Sequence, residues 1–119
     1  FANPDAIVVC FLGDGTAGFQ IAEWETARRY KLPIIYIIGN DQRWGAEVEI
    51  QIKDYGADRA KYCMLDEETN YADVASGFGC KGFKVSSIKE LKKIIRAAFS
   101  SKETTIIDIN IEGLPGPTL

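Results

Sequence analysis

Two apolar runs, each closing on glycine and an acidic residue, constrain this chain more than any other feature. Residues 6–12 (AIVVCFL) lead into Gly13-Asp14-Gly15, and residues 34–38 (IIYII) lead into Gly39-Asn40-Asp41. Both runs are continuous and rich in β-branched residues, the pattern of strands buried on both faces of a parallel sheet. Residues 19–30 between them have helical spacing. Phe19, Ala22, Ala27 and Tyr30 share one apolar face, Glu25 and Arg29 pair four apart on the wet side, and Thr16 is placed as the N-cap. Pro33 stops that helix.

The rest of the chain repeats the alternation. Asn70 caps a short helix carrying Val74, Ala75 and Phe78, closed by Gly79. A short strand is expected at 83–85. Ser87-Ile88-Lys89-Glu90 reads as a capping box for a helix with Ile88, Leu91, Ile94, Ile95, Ala98 and Phe99 on one stripe. Residues 104–111 (TTIIDINI) are the last strand. Residues 42–69 form a long irregular connection, the kind that serves as a lid or site wall. Strands alternating with helices predict one α/β domain over 1–119, a three-layer αβα arrangement with a parallel sheet. Right-handed crossovers place the carboxyl ends of the strands on one edge, where such sheets bind ligands.

Composition narrows the chemistry. The 119 residues are 46% hydrophobic, enough for a core, and the net charge of −3 argues against a nucleic-acid binder. Lys89, Lys92, Lys93 and Arg96 read as a solvated helix face. No apolar run is long enough to span a membrane. Cys10, Cys63 and Cys80 are far apart and lack CxxC spacing, which fits a reducing cytoplasm rather than a disulfide framework or zinc site. The chain has no histidine, which removes Ser-His-Asp and Cys-His nucleophile systems and His-ligated metals. Asp54, Asp58, Asp66, Glu67 and Glu68 do not match a calcium loop and read as solvated. Trp24, Tyr36 and Tyr62 read as structural.

If the first two strands are neighbours, Asp14 and Asp41 meet at one carboxyl edge. Two carboxylates so close repel unless a cation lies between them, and a hard divalent ion with oxygen ligands, Mg²⁺ or Ca²⁺, resolves the conflict. Gly15 and Thr16 open a helix whose amides favour an anion, so a Mg²⁺-diphosphate satisfies both features. Taken alone, Gly-Asp-Gly also fits a plain turn with Asp14 entering the helix.

Gly13-Asp14-Gly15, 24 residues (16–39), then Asn40 resembles the cofactor motif of thiamine-diphosphate-dependent enzymes, most closely the acetolactate synthase, pyruvate decarboxylase and benzaldehyde lyase group. The stretch GFQIAEWETARRYKLPIIYIIGNDQRWGAE is similar to that group's helix, turn, second strand and NNxxWG loop. The resemblance covers essentially the whole chain, as the C-terminal part of the diphosphate-binding module. It implies thiamine diphosphate and Mg²⁺ as cofactors. Asp14, Asp41 and the backbone carbonyl of Arg43 would be the metal ligands, the Arg43 side chain being of no consequence. Gly13, Gly15, Thr16 and Asn40 would surround the diphosphate, with Ala46 beside the cofactor and Trp44 either beside it or a packing residue. Asp41 departs from the family's second Asn.

Glu47 would assist proton transfer near the reacting carbon; equally, Glu47 and Glu49 fit the wet face of a short helix. The reaction implied is decarboxylation or carboligation of a 2-oxo acid. The family takes an activating glutamate from a pyrimidine-binding domain, usually in a partner subunit. The chain is therefore expected to be part of a larger enzyme, a homodimer or homotetramer, and incompetent alone. The alternative is a degenerate, non-catalytic module of the same fold that serves subunit assembly. A phosphatase of the haloacid-dehalogenase type is excluded because Leu12 stands where its nucleophilic Asp is required, and a P-loop because no Gly-Lys-Ser/Thr follows the glycines.

Overall fold

The computed structural model describes residues 3 and 5–114. Four strands, β1 (Val8–Gly13), β2 (Ile34–Asn40), β3 (Lys81–Val85) and β4 (Thr105–Asn110), form one sheet in the order β1-β2-β4-β3. All pairings are parallel. Helices α1 (Asp14–Gln20), α2 (Ala22–Arg29), α3 (Gly45–Tyr55), α4 (Tyr71–Gly77) and α5 (Ile88–Ser101) complete the fold, with a 3₁₀ helix at Ala57–Cys63.

The pleat divides the core. On β2, Ile38 faces one side and Ile35 and Ile37 the other; on β4, Ile106 and Ile107 divide in the same way. One side packs against Ala17, Trp24 and Ala75 of α1, α2 and α4, the other against Ile94 and Ala98 of α5. This is the three-layer αβα arrangement expected from the element order. Trp24 is fully buried between the rings of Tyr36 and Tyr71, with centroids 6.1 and 6.2 Å away. Burying a side chain of that size contributes roughly 3 kcal/mol.

Several expectations need correction. The helix predicted over 19–30 begins at Asp14 and is divided at Ile21, and Thr16 lies inside α1, whose N-cap is Gly13. Its buried apolar residues are Ala17, Trp24 and Ala27, which share a helical stripe, whereas Phe19 is 75% and Tyr30 66% exposed. On α5, Ile94 and Ala98 are buried, but Ile88 and Phe99 at the ends of the stripe are exposed. β1 is not buried on both faces. It pairs with β2 alone among the described residues, and Phe11 is 76% exposed. Tyr62 is 84% exposed and packs into no core. Residues 42–69 are ordered rather than irregular: α3 and the 3₁₀ helix meet around Val48, Ala60 and Cys63.

The capping signals act as expected. The Asn70 side chain accepts from the N–H groups of Ala72 and Asp73, and Ser87 Oγ accepts from Glu90 N. Glu90 reaches back to Ser86 N rather than to Ser87. α4 crosses β3 at Gly82, where a Cβ would collide with the Ala72 carbonyl. Gly82→Ala is therefore expected to push α4 off the sheet and to cost about 1–3 kcal/mol in urea denaturation.

Candidate functional site: a two-carboxylate cleft

The β1–β2 register pairs Gly13 with Gly39, so both strands end level at the same edge. The residues that follow, Asp14 at the start of α1 and Asp41 in the β2–α3 turn, emerge side by side. Asp14 is 2% exposed. Its Oδ1 accepts from Gly15 N at 2.6 Å and its Oδ2 from Arg43 N at 3.1 Å. Burial pushes its carboxyl above the ordinary carboxylate range and the Asp41 charge adds to that, against the lowering effect of the backbone donors.

Asp41 Oδ2 accepts from Arg43 Nε at 2.8 Å, and both side chains are largely buried. Its Oδ1 accepts no hydrogen bond from the described residues. The turn between them depends on Gln42, which adopts the left-handed conformation at φ 57°. For a residue with a Cβ that conformation costs on the order of 1–2 kcal/mol. The cost is met by straps to the 3₁₀ segment: Leu65 N donates to Gln42 O at 2.7 Å, Trp44 N to Cys63 O at 2.8 Å, and Gln42 Nε2 to Glu67 O at 2.8 Å. Of the two roles expected for this segment, lid or site wall, the structure shows a wall that bends the Asp41 loop over Asp14.

A cleft of about 420 Å³ opens above the two carboxylates. Gly13, Asp14, Gly15, Thr16, Asp41, Arg43, Trp44, Ala46 and Glu47 all line it. The Trp44 indole lies on Gly15, where a Cβ would fall 2.6 Å from the ring, and stacks with Phe19 at 5.3 Å. Phe19 and Ile111 also line the cleft; the sequence placed them on a helix core face and in a strand. Glu47 is exposed in the first turn of α3 and at the rim of the same cleft. The Arg43 carbonyl accepts from Gly45 N and keeps a second lone pair. The Arg43 side chain, expected to be of no consequence, holds Asp41.

Asn40 stands apart. It is buried, its Nδ2 donates to Asp108 Oδ1 at 3.1 Å, and its Oδ1 accepts from Gln42 N at 3.2 Å. It braces the loop from below and does not line the cleft. Asp108, which the sequence reading passed over, is fully buried and also accepts from Tyr71 N at 2.9 Å. The Tyr71 hydroxyl donates to the Asp14 carbonyl at 2.8 Å, so the brace runs from β4 through α4 to the Gly-Asp-Gly turn. An aspartate inside the apolar run TTIIDINI was the available signal.

No cluster of three or more His, Cys, Asp or Glu side chains suited to a metal occurs among the described residues. The donor set is two carboxylates with backbone oxygen nearby, which fits a hard divalent ion that takes further ligands from a phosphate. The profile of the thiamine pyrophosphate enzyme C-terminal TPP-binding domain matches residues 1–109. The chain belongs to this family.

The TPP-binding domain is 36% identical over 98 residues to 2-hydroxyacyl-CoA lyase 2 of Bos taurus, covering 81% of this chain and 15% of the relative. It is 30% identical over 112 residues to the acetolactate synthase large subunit of Haemophilus influenzae, covering 93% of this chain and 19% of the relative. The domain thus spans less than a fifth of these relatives. In fold it is similar to the thiamine diphosphate-dependent 4-hydroxybenzoylformate decarboxylase of Rhodococcus jostii. The TM-score is 0.86 at 23% identity, over 97% of this chain and 21% of that one.

Proposed function

We propose that this chain is the C-terminal domain of a larger thiamine-diphosphate- and Mg²⁺-dependent enzyme that decarboxylates 2-oxo acids, joins them to a second carbonyl, or both. One observation carries the reading: Asp14 and Asp41 come from successive strands to one cleft, tied together through Arg43. Asp14 and Asp41 would hold the cation, with the Arg43 carbonyl as a third ligand. Gly13, Gly15 and Thr16 leave room for the diphosphate, while Trp44 and Ala46 wall the cleft and exclude water. The cofactor, when bound, would supply the electron sink that no protein side chain provides. Glu47, at the rim, would assist proton transfer.

The 2-oxo acid is the small-molecule partner. The coverage of 15% and 19% supports a site completed by a pyrimidine-binding domain of the same enzyme or of a partner subunit in a homodimer or homotetramer. No helix of the described residues is long and apolar enough to cross a membrane, and three unpaired cysteines favour the cytoplasm.

Calorimetric titration with thiamine diphosphate and Mg²⁺ tests the reading. Tight binding that needs the metal is expected in the full-length protein and not in residues 1–119 alone. Absence of binding in the full-length protein would replace the catalytic reading with that of a module serving assembly.

A further inference from the structure

Arg43 is the one cationic side chain among the described residues lining the cleft. It touches both aspartates, Asp14 through its backbone N–H and Asp41 through its guanidinium. It is clamped in that position. Nη2 donates to the Leu114 carbonyl at 3.4 Å, Nη1 lies 4.0 Å from Glu49 Oε1, and a Cβ on Gly113 would fall 2.6 Å from Nε. The side chain is 15% exposed, unlike a loose surface arginine.

Resting on the function proposed above, we propose that Arg43 is a specificity-determining residue: its guanidinium is the counter-ion that lets an aspartate stand at position 41, and it biases the cleft toward a metal-bound diphosphate over a bare divalent cation. The argument is one of charge. The Asp41–Arg43 pair is formally neutral, as a single amide side chain would be, and Asp14 with Glu47 at the rim then leaves the cleft two net negative charges. A bare cation is attracted by both carboxylates and repelled by the guanidinium. In a magnesium diphosphate complex the phosphate oxygens already offset the cation's charge, so it gains less from the carboxylates than a bare cation does, while the guanidinium attracts its phosphate oxygens. The two ligands therefore respond to Arg43 with opposite sign, which a merely structural role does not produce.

The test uses the full-length protein, Mn²⁺ alone as the probe of bare-cation binding, and thiamine diphosphate at saturating Mg²⁺ as the probe of the complex. Arg43→Met keeps the alkyl stem and the backbone N–H. It is expected to bind Mn²⁺ as tightly as the parent or more tightly, while thiamine diphosphate affinity falls about tenfold or more. The double variant Asp41→Asn/Arg43→Met is expected to recover most of that affinity, because it removes the charge that needed balancing. Asp41→Asn alone, with Arg43 intact, is expected to weaken Mn²⁺ binding more than diphosphate binding, and it decides the matter should Arg43→Met fail to fold.

Equal losses for both probes, an unchanged diphosphate affinity in Arg43→Met, or a double variant no better than the single one would overturn the inference. A parent that binds no thiamine diphosphate would instead overturn the proposed function, and this inference with it.

Discussion

Asp14→Ala in the full-length enzyme is expected to abolish metal-dependent thiamine diphosphate binding while changing the stability of the ligand-free fold by no more than about 2 kcal/mol. Asp14 is a buried carboxylate whose pKa is raised, which means that the folded chain holds its charge less well than water does. Desolvation and the neighbouring Asp41 outweigh the backbone donors of Gly15, Arg43 and Gln42. Removing the carboxylate therefore relieves a cost as well as orphaning the N–H groups of Gly15 and Arg43. A divalent cation reverses the balance, because it needs that charge.

The sign with pH follows. A carboxyl with a raised folded pKa stabilises the ligand-free fold most below its unfolded value, and that contribution is lost as pH climbs from about 4 through the folded pKa. Metal affinity moves the other way over the same window, since the cation competes with the proton. Thermal midpoints against pH, with Mg²⁺ and with a chelator, should diverge in the parent. They should run parallel in Asp14→Ala, and divergence that persists there would remove Asp14 from the metal site.

Asp108→Ala is expected to do the reverse in stability, costing about 3–5 kcal/mol in chemical denaturation. Asp108 is fully buried, and its two oxygens are shared between Asn40 Nδ2 and Tyr71 N. Truncation would orphan both donors inside the core, at about 1–3 kcal/mol each, and would remove an anion from the start of α4, where the helix dipole favours one. Asp108→Asn is expected to fall between, because one of its amide hydrogens must face a donor. Cofactor affinity should weaken in both, since Asn40 holds Gln42 N and the Tyr71 hydroxyl holds the Asp14 carbonyl. An Asp108→Ala protein as stable as the parent would show that the network carries no weight.

The parts of this fold that were legible from the residues are those set by local pattern. Apolar β-branched runs marked the strands, Asn70 and Ser87 marked helix starts, and two glycine-aspartate turns marked one edge. What escaped depends on neighbours distant in sequence. Nothing in residues 6–12 says that β1 lies at the margin of the sheet, because strand order decides that and composition does not. α3 was legible only as a short helix under Glu47 and Glu49; its extent to Tyr55 escaped because Val48, Ile50 and Ile52 alternate with polar residues, the period of a strand, and of the three only Val48 is buried. At the site, a likeness of motif set Asn40 beside Asp41 around one ligand. Asn40 is the last residue of β2, and its side chain turns down into the core while Asp41 stands in the turn above. The Arg43 guanidinium and the Asp108 brace are contacts between separate elements, which no spacing along the chain encodes.

The strand latest in chain order among those described, β4, is not at an edge; it lies between β2 and β3. During synthesis the cleft residues Asp14, Asp41 and Arg43 emerge before α4 and β3, but the strand that carries their brace emerges after every other described strand. Until it slots into the gap, β3 has no partner and the floor under Asn40 is open. Closure by a central, non-local, parallel strand pays loop entropy before contacts reward it. On the function proposed above, cofactor capture in the growing enzyme would wait for β4, well after the residues proposed to touch the cofactor have been made.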